Sequence, residues 1–529
     1  MRKLEIWKNA VIITVAAVVA KILSAVYRIP YQNIAGDVGF YVYQQVYPFY
    51  SFVFTLSLYG LPLALAKVIA EQKIKNSSFP AEQYVFSVMK RLFFLALLLS
   101  AALFCFAPLL AKWMGDVHLL PLLQIVSLSF LALPFLAGLR GYFQGLENMT
   151  PTAVSQIIEQ SVRVVFILLL AAYFVAHGGG AYGAGKGAVI GSVIGAYGSA
   201  FFLIGYYLKA TKRKRPDGRV FDGGVYVKKV LADGFLFSLS SLVLVLYQLA
   251  DSFTLVRLLA EHGFALEMAK AVKGTFDRGQ PLLQLATLIV TSFSLALVPL
   301  IAKEVAKKNI EKVRAYGERA LRFTLFLGLC ASVGLALIIE PVNAMLFMNR
   351  NGSFALFVLS FAIVFSSIIV TTTAMMQGFG RMNIVLLHLA VGLAGKLILN
   401  FIFVPKIGIA GASLATVISL AAAALLNVFY IFRKKWANIP PLRTILAIGA
   451  TVGAMTAALE LWKYVGEHYL FSPSRMGEAG LAFSGVAIGV LVVFFLTIRL
   501  QIFTYEEVRS IPLLQSIYKK FQRNKECRN

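Results

Sequence analysis

The chain has 529 residues, of which 59% are hydrophobic and only 14% are charged. A soluble domain of this length would lack the polar residues needed to cover its surface, so the composition excludes a soluble globular protein. Apolar stretches of about 20 residues recur along the whole chain, and each is long enough to cross the hydrocarbon core of a bilayer. The sequence therefore predicts an all-α, polytopic membrane protein.

We expect about fourteen transmembrane helices on this criterion. Their centres fall near residues 18, 58, 102, 132, 166, 197, 244, 291, 334, 366, 394, 421, 453 and 490. The formal net charge is +26, and the Lys and Arg residues concentrate in every second connection, for example 212–219 and 303–314. This alternation is the positive-inside bias, so it predicts cytoplasmic termini and contacts with anionic membrane lipids rather than a nucleic-acid partner.

An internal repeat is visible where span four joins span five and where span ten joins span eleven. Span four ends in a Gln-Gly pair at 144–145 and span ten in another at 377–378, and at the same offset Arg163 corresponds to Lys396. The match predicts a six-span duplication, and because six crossings preserve orientation, the copies are related by an axis along the membrane normal. We expect an N-terminal six-helix lobe with its basic connection over 1–231, a C-terminal lobe over 232–440, two further helices over 441–504 and a cytoplasmic amphipathic tail over 505–529.

Two cations, Lys21 and Arg28, lie within the first apolar span. Their spacing of about two helical turns places them on one helix face. A charge at the bilayer centre costs about 2.5–3.5 kcal/mol on insertion scales. Either Arg28 reaches the membrane surface while Lys21 pairs with a distant carboxylate, or both line a water-filled cavity and contact an anionic substrate, to which arginine binds bidentately.

Span seven carries Asp251 and, towards its predicted outer end, Arg257. Asp251 has three interpretations: a partner for Lys21, a cation or proton site, or one member of an interhelical ion pair. These alternatives stay open from the sequence alone.

Arg163 in span five and Lys396 in span eleven occupy span interiors in both halves. They are either a second part of the substrate site or structural residues paired with acids such as Glu159, one helical turn from Arg163.

The sequence shows no pattern typical of catalysis. The five histidines and three cysteines are scattered. No histidine–glutamate metal pattern, nucleophile elbow or phosphate-binding loop occurs. We therefore expect neither enzymatic activity nor a cofactor or metal.

Two segments resemble blocks of a known family. Residues 35–71 read AGDVGFYVYQQVYPFYSFVFTLSLYGLPLALAKVIAE, and residues 276–287 read FDRGQPLLQLAT. Both are similar to blocks of SpoVB-type polysaccharide transporters, and the Gln-Gly pairs at 144–145 and 377–378 fit the same pattern. These transporters belong to the multidrug/oligosaccharidyl-lipid/polysaccharide (MOP) flippase superfamily, which includes the MurJ-like lipid II flippases.

The resemblance implies a two-lobed transporter that works by alternating access. It further implies a cationic cavity lined by spans one, two, seven and eight, and a groove for a polyprenyl tail at the last two spans. Lys21, Arg28 and Arg257 match the basic cavity positions. The additional span-two arginine of MurJ-like proteins has no counterpart in 50–62, so teichoic, capsular and spore-related saccharides stay open as cargo.

The leading hypothesis is a flippase that moves an undecaprenyl-diphosphate-linked saccharide from the inner to the outer leaflet. The alternative is a cation-coupled antiporter for drugs or small molecules that uses Asp251, and a third is a non-transporting scaffold for envelope synthesis. The antiporter branch of the superfamily usually has twelve spans and acidic cavities, which favours the flippase here. The sequence does not specify a coupling ion.

Overall fold

The computed structural model describes residues 19–20, 22–75, 79–211 and 224–503. These residues form helices and turns, with no strand in any of the four ranges, so the described part has the predicted all-α class. The helices are α1 (Arg28–Thr55), α2 (Leu61–Lys75), α3 (Ala81–Trp113), α4 (Leu120–Ser127), α5 (Leu133–Gly145), α6 (Thr150–Ala176), α7 (Gly180–Thr211), α8 (Gly224–Glu261), α9 (Leu266–Asp277), α10 (Gly279–Ala286), α11 (Leu288–Ala306), α12 (Ile310–Leu337), α13 (Ile339–Phe347), α14 (Ser353–Ser360), α15 (Ala362–Gly378), α16 (Met382–Arg433), α17 (Leu442–Val465) and α18 (Arg475–Arg499). Lys21 and the predicted tail 505–529 lie outside these ranges.

Within the described ranges, 11 helical segments are long and apolar enough to cross a membrane. Two of them, Ile22–Lys75 and Met382–Arg433, contain 54 and 52 residues. At about 1.5 Å per residue, either segment would be roughly 80 Å long if it were straight, which is more than twice the bilayer core. Non-helical backbone interrupts the first at Gly36 and the second at Ile407 and Gly408.

The chain reverses at both breaks. Tyr27 Oη and Tyr43 Oη lie 2.7 Å apart although 16 residues separate them, and Lys396 Nζ donates to the carbonyl oxygen of Ala412 at 2.9 Å over the same separation. In a straight helix 16 residues span about 24 Å. Each long segment is therefore two antiparallel helices, whereas the total of fourteen spans stays a prediction because the first span lies partly outside the described ranges.

The region of the predicted eighth span is broken into α9, α10 and α11. Helix α9 reads LEMAKAVKGTFD, and its Lys270, Lys273 and Asp277 are all buried despite their charge. Pro281 lies in the first turn of α10, where a missing backbone N–H is tolerated. Transporters commonly place ligand and ion sites where transmembrane helices are discontinuous, so this break directs attention to the residues around it.

We call residues 22–211 the first half and residues 224–433 the second half, while their origin as a duplication stays a prediction. The halves meet along α1, α8 and α9. Gln45 Nε2 donates to the carbonyl oxygen of Ser252 at 3.0 Å in the middle of this interface. At the end of the bundle where α1 breaks, which we call the Asp37 end, Asp37 Oδ1 lies 2.5 Å from a guanidinium nitrogen of Arg278.

Glycines allow the halves to touch closely at two levels. A methyl group on Gly60 would overlap the carbonyl oxygen of Gly234, and a methyl group on Gly274 would overlap the carbonyl oxygen of Asp37. Gly274 lies at the Asp37 end, and Gly60 lies near the opposite end of the same interface. The structure is therefore closed between the halves at both levels.

Helices α17 and α18 pack against the second half on its outer side. Ile338, Met455, Leu459 and Ala482 form a separate small hydrophobic cluster there. The cluster joins the last two helices to the end of α12. An apolar groove lies beside this cluster, between the last two helices and the second half.

Candidate substrate-binding site

A cluster of tyrosines forms the centre of the first half. The segment FYVYQQVYPFY in α1 places Tyr43, Tyr47 and Tyr50 at spacings of four and three residues, so their side chains share one helix face. The ring centroids of Tyr43 and Tyr47 are 5.8 Å apart, and those of Tyr47 and Tyr50 are 6.4 Å apart. Tyr27 and Tyr31, from the chain before the break, contact Tyr43 edge to face. We call these five residues the tyrosine cluster.

Arg28 lies fully buried against the tyrosine cluster. Its guanidinium carbon is 4.4 Å from the centroid of the Tyr47 ring, which is a cation–π contact. None of its three guanidinium nitrogens has a hydrogen-bond partner among the residues that the structure describes. The structure thus excludes the interpretation in which Arg28 reaches the membrane surface.

Arg163 enters the same cluster from α6. One guanidinium nitrogen donates to Tyr27 Oη at 2.7 Å and to Tyr43 Oη at 3.0 Å, and the other donates to Gln160 at 3.3 Å. Its guanidinium carbon is 4.6 Å from the centroid of the Tyr50 ring. In the described part of the chain no carboxylate pairs with it, so Arg28 and Arg163 carry two uncompensated charges at one place.

The pairing considered for Arg163 with Glu159 is wrong. Glu159 Oε2 lies 2.6 Å from a guanidinium nitrogen of Arg140, and both side chains are buried. Arg140 also donates to Ser155 and Ser199 at 3.0 and 3.1 Å. This pair joins α5, α6 and α7 inside the first half and neutralises Glu159 there.

Asp251 and Lys396 form a buried ion pair in the second half. Lys396 Nζ lies 2.7 Å from Asp251 Oδ1, and it also donates to Thr416 Oγ1 at 2.6 Å. Asn400 Nδ2 donates to the same carboxylate oxygen at 3.0 Å. Of the three interpretations of Asp251, the structure therefore supports the interhelical ion pair, with Lys396 as its partner among the described residues.

Helix α9 adds charged residues that the sequence reasoning missed. Lys273 Nζ donates to both carboxylate oxygens of Asp277 at 2.7 and 2.6 Å, and both side chains are buried. Arg278, which follows directly, donates to Asp37, Asn343 and Asn349. The available signal was the unusual density of charges directly before the Gly-Gln-Pro of α10.

Arg257 lies apart from these groups. Its side chain is 62% exposed and pairs with Glu261 at 2.7 Å, one turn further along α8. Its predicted contact with substrate stays a prediction, as does that of Lys21, which lies outside the described residues. Arg28, Arg163 and the Asp251–Lys396 pair, in contrast, lie in the buried interior.

A long apolar groove of about 1250 Å³ lies between the second half and the last two helices. Helices α10, α11, α12, α17 and α18 provide its walls, including Leu282, Leu285, Met455, Gly485 and Gly489. Its polar residues include Tyr316, Arg319 and Thr497. Helix α10 connects the groove with the interior, because it starts directly after Asp277 and Arg278 and then contributes leucines to the groove wall.

Comparisons with known proteins now identify the family. Residues 6–305, more than half of the chain, match the model of a family described as polysaccharide biosynthesis protein. The chain belongs to this family. It is 39% identical to the uncharacterized membrane protein YabM of Bacillus subtilis over 98% of this chain and 97% of that protein.

Two further relatives from Bacillus subtilis carry functional names. The chain is 25% identical to the lipid II flippase MurJ, with 94% of this chain and 95% of that protein covered. It is 24% identical to the stage V sporulation protein B, with 97% and 99% covered. Together with the apolar helices, these relatives identify a multi-pass bacterial membrane protein.

Solved structures share the fold. A lipid II flippase MurJ in an inward closed conformation matches with a TM-score of 0.67 at 15% identity, over 92% of this chain and 98% of that chain. An inward-facing multidrug resistance MATE family transporter of the MOP superfamily matches with a TM-score of 0.63 at 16% identity, over 78% and 94%. The resemblance to the MOP superfamily is thereby confirmed, and the fold is that of its membrane transporters.

Proposed function

We propose that the protein is a flippase that moves an undecaprenyl-diphosphate-linked saccharide from the inner to the outer leaflet by alternating access. The observation that carries this proposal is the Arg28 guanidinium, which is buried beside Arg163 and has no hydrogen-bond acceptor among the described residues. The relative named as a lipid II flippase supports the same class of cargo.

The energetics of Arg28 favour an anionic ligand. Burying a guanidinium without an acceptor costs several kcal/mol. A desolvated cation–π contact such as that with Tyr47 offsets only about 2 kcal/mol of this cost. A diphosphate offers several charged oxygens in the bidentate geometry that arginine recognises, and its attraction strengthens in a site of low dielectric.

The neighbouring groove suits the lipid part of such a substrate. Its walls are almost entirely apolar, and α10 runs from the charged residues Asp277 and Arg278 to the leucines of the groove. Burial of a polyprenyl chain would release water from apolar surface at roughly 25 cal/mol per Å². One molecule with a charged diphosphate and a long apolar tail therefore matches both surfaces.

The proposed orientation of the protein in the membrane rests on the charge distribution. The basic connections, for example 303–314, indicate the cytoplasmic side by the positive-inside bias. The opposite, Asp37 end then faces outward. Arg28 is fully buried in this structure, so in the proposed cycle the release of one set of contacts between the halves exposes it to one leaflet at a time.

The alternative antiporter requires a carboxylate that is free to exchange a cation. Among the described residues at the interface, each buried carboxylate already lies against a base: Asp116 with Lys270 at 3.6 Å, Asp251 with Lys396 at 2.7 Å, and Asp277 with Lys273 at 2.6 Å. Among the described residues, Arg28 and Arg163, which lie against the tyrosine cluster, have no carboxylate partner. This balance favours an anionic cargo over a cationic drug.

The test is native mass spectrometry of the purified full chain with undecaprenyl diphosphate. We expect Arg28→Ala to weaken retention about tenfold or more, because a charge-assisted contact contributes about 1.5–3 kcal/mol. Arg28→Lys should restore part of the binding, since it keeps the charge but loses the bidentate geometry. The Lys21→Ala/Arg28→Ala double variant extends the test to the cation outside the described residues.

Arg381→Ala is the matched control, because it removes an exposed arginine of the second half that is not among the predicted site residues. Undecaprenol, which lacks the phosphates, tests binding to the groove alone. The unsubstituted protein and all the variants should retain this lipid equally. Equal retention of the diphosphate lipid by the unsubstituted protein and by the Lys21→Ala/Arg28→Ala variant would contradict the proposal.

A further inference from the structure

The Lys396 ammonium lies at the centre of a set of oxygens in the second half. Its Nζ atom contacts the Asp251 carboxylate at 2.7 Å, the Ala412 carbonyl at 2.9 Å and the Thr416 hydroxyl at 2.6 Å. We call these three residues the oxygen cage. All of them are buried, and the Phe276 ring lies over the ammonium with its centroid 6.0 Å from Nζ.

The Asn400 side chain contacts the same carboxylate. Asn400 is fully buried, and its amide nitrogen donates to Asp251 Oδ1 and to Thr254 Oγ1 at 3.0 and 2.8 Å. Its amide oxygen has no hydrogen-bond partner in the described part of the chain. A simple ion pair would need the Asp251 carboxylate alone, whereas here the ammonium uses its three donors on three different oxygens.

The chemistry of the oxygen cage is that of a site for a hard monovalent cation. Hard cations prefer carboxylate, carbonyl and hydroxyl oxygens, and divalent ions usually require six or more of them. The oxygen cage has one carboxylate, so one positive charge balances it. The backbone break at Ile407 and Gly408 lies directly before Ala412, and helix breaks are where transporters coordinate Na⁺.

We infer that Lys396 is a tethered cation that permanently occupies a Na⁺- or K⁺-type site formed by Asp251, Ala412 and Thr416. The protein therefore needs no free metal cation to neutralise Asp251. An amino group on a four-carbon stem cannot dissociate from the site, so Na⁺ and K⁺ do not act here as coupling ions. This inference concerns the second half only and stands independently of the diphosphate site at Arg28.

The test measures the unfolding temperature of the full chain in detergent, in NaCl, KCl and choline chloride at equal ionic strength. For the unsubstituted protein we expect the same temperature in all three salts. Lys396→Ala opens the site, so Na⁺ or K⁺ should raise its unfolding temperature by a few degrees over choline, and the rise should saturate with concentration. The Asp251→Asn/Lys396→Ala variant lacks the carboxylate and should show no salt-specific rise.

Three results would overturn the inference. The first is a Na⁺- or K⁺-specific rise in the unsubstituted protein, because a filled site has no room for a metal. The second is an equal unfolding temperature of Lys396→Ala in all three salts. The third is a Lys396→Ala variant that does not fold in NaCl or KCl although the Asp251→Asn/Lys396→Ala variant does. The lipid-retention experiment on Arg28 is unaffected by any of them, so the two proposals fail separately.

Discussion

Arg163 and Lys396 are both fully buried, and the predicted repeat places them in corresponding spans of the two halves. Their surroundings differ in kind. Arg163 is held by the hydroxyls and rings of tyrosines and by an amide, whereas Lys396 is held by a carboxylate, a carbonyl and a hydroxyl. Tyrosines solvate a cation without cancelling its charge, so the first half stays electropositive while the second half is neutral at the equivalent place.

This difference separates the roles of the two halves. The oxygen cage and the Lys396 ammonium, which are neutral together, fix three segments of the chain to one another. The arginines that lie against the tyrosine cluster, in contrast, have no paired acid among the described residues. Their positive charge therefore attracts anions over a longer distance. Under the predicted duplication and the proposed function, the two copies have diverged into a structural site and a site that attracts the anionic substrate.

The largest effect on stability is expected from breaking the Asp251–Lys396 ion pair. Asp251→Ala leaves the Lys396 ammonium buried without its carboxylate, so the free energy of unfolding should fall by about 3–5 kcal/mol. The Asp251→Ala/Lys396→Met variant should recover most of this loss, because it buries no charge. Arg163→Met removes a cation that has no paired acid among the described residues, so it should cost only about 1–2 kcal/mol. Equilibrium unfolding in mixed detergent–SDS micelles measures all three variants.

If Arg163→Met destabilised the protein as much as Asp251→Ala does, the first half would contain a compensating acid and the contrast between the halves would disappear. A double variant as unstable as Asp251→Ala alone would show that the oxygen cage, and not charge balance, determines the stability of the second half.

A smaller effect is expected within the tyrosine cluster. Tyr47→Leu removes the ring that lies 4.4 Å from the Arg28 guanidinium and 5.5 Å from that of Arg163. We expect a loss of about 2 kcal/mol in the free energy of unfolding, since both desolvated cations lose a ring face. Tyr47→Phe keeps the ring and should retain most of the stability in the same unfolding experiment. Equal losses for the two variants would assign the effect to the hydroxyl and not to the ring.

The smallest effect is expected for an ion pair at the surface, which calibrates the buried pairs. Glu340 Oε2 lies 2.8 Å from Lys463 Nζ, and the two side chains are 42% and 27% exposed. The hydrogen bond from Lys463 lowers the pKa of Glu340 below its ordinary value of 4.5, with a further contribution from the charge of Arg350. Because solvent screens this pair, its contribution should stay below about 1 kcal/mol.

The sign of the pH dependence follows from the lowered pKa of Glu340. The stabilisation is fully present above pH 4.5 and is lost as the pH falls through the lower pKa of the folded state. Thermal unfolding of the unsubstituted protein and of Glu340→Gln should therefore differ slightly at pH 7 and converge in acid. A difference that grows on acidification would contradict the pairing.

The sequence predicted the helical membrane fold and several of the buried charges, because an ionised side chain within an apolar span is conspicuous. Arg28 and Asp251 were recognised in this way. The pairing of Asp251 with Lys396 was open, because the partners belong to distant parts of the chain and only the packing of α8 against α16 brings them together. Which cation neutralises which acid depends on tertiary distances of a few ångströms, and no spacing along one helix encodes them.

The charged residues of α9 were missed for a different reason. A segment with Lys270, Lys273 and Asp277 has the composition of an exposed connection, and periodicity alone favours that assignment. It is buried because the first half covers it, with Asp116 and Tyr182 contacting Lys270. An unpaired carboxylate is costly in an apolar region, so a buried acid predicts a base nearby, as Asp277 with Lys273 shows.

The glycine contacts at Gly60 and Gly274 have a genetic consequence. Each one brings the backbones of the two halves close together at its own level, so under the proposed alternating access a larger residue there favours opening at that level. Larger residues at the two levels would shift the conformational equilibrium in opposite directions. A strain disabled by Gly60→Val should therefore yield suppressors at or near Gly274, on the far side of the membrane from the original lesion.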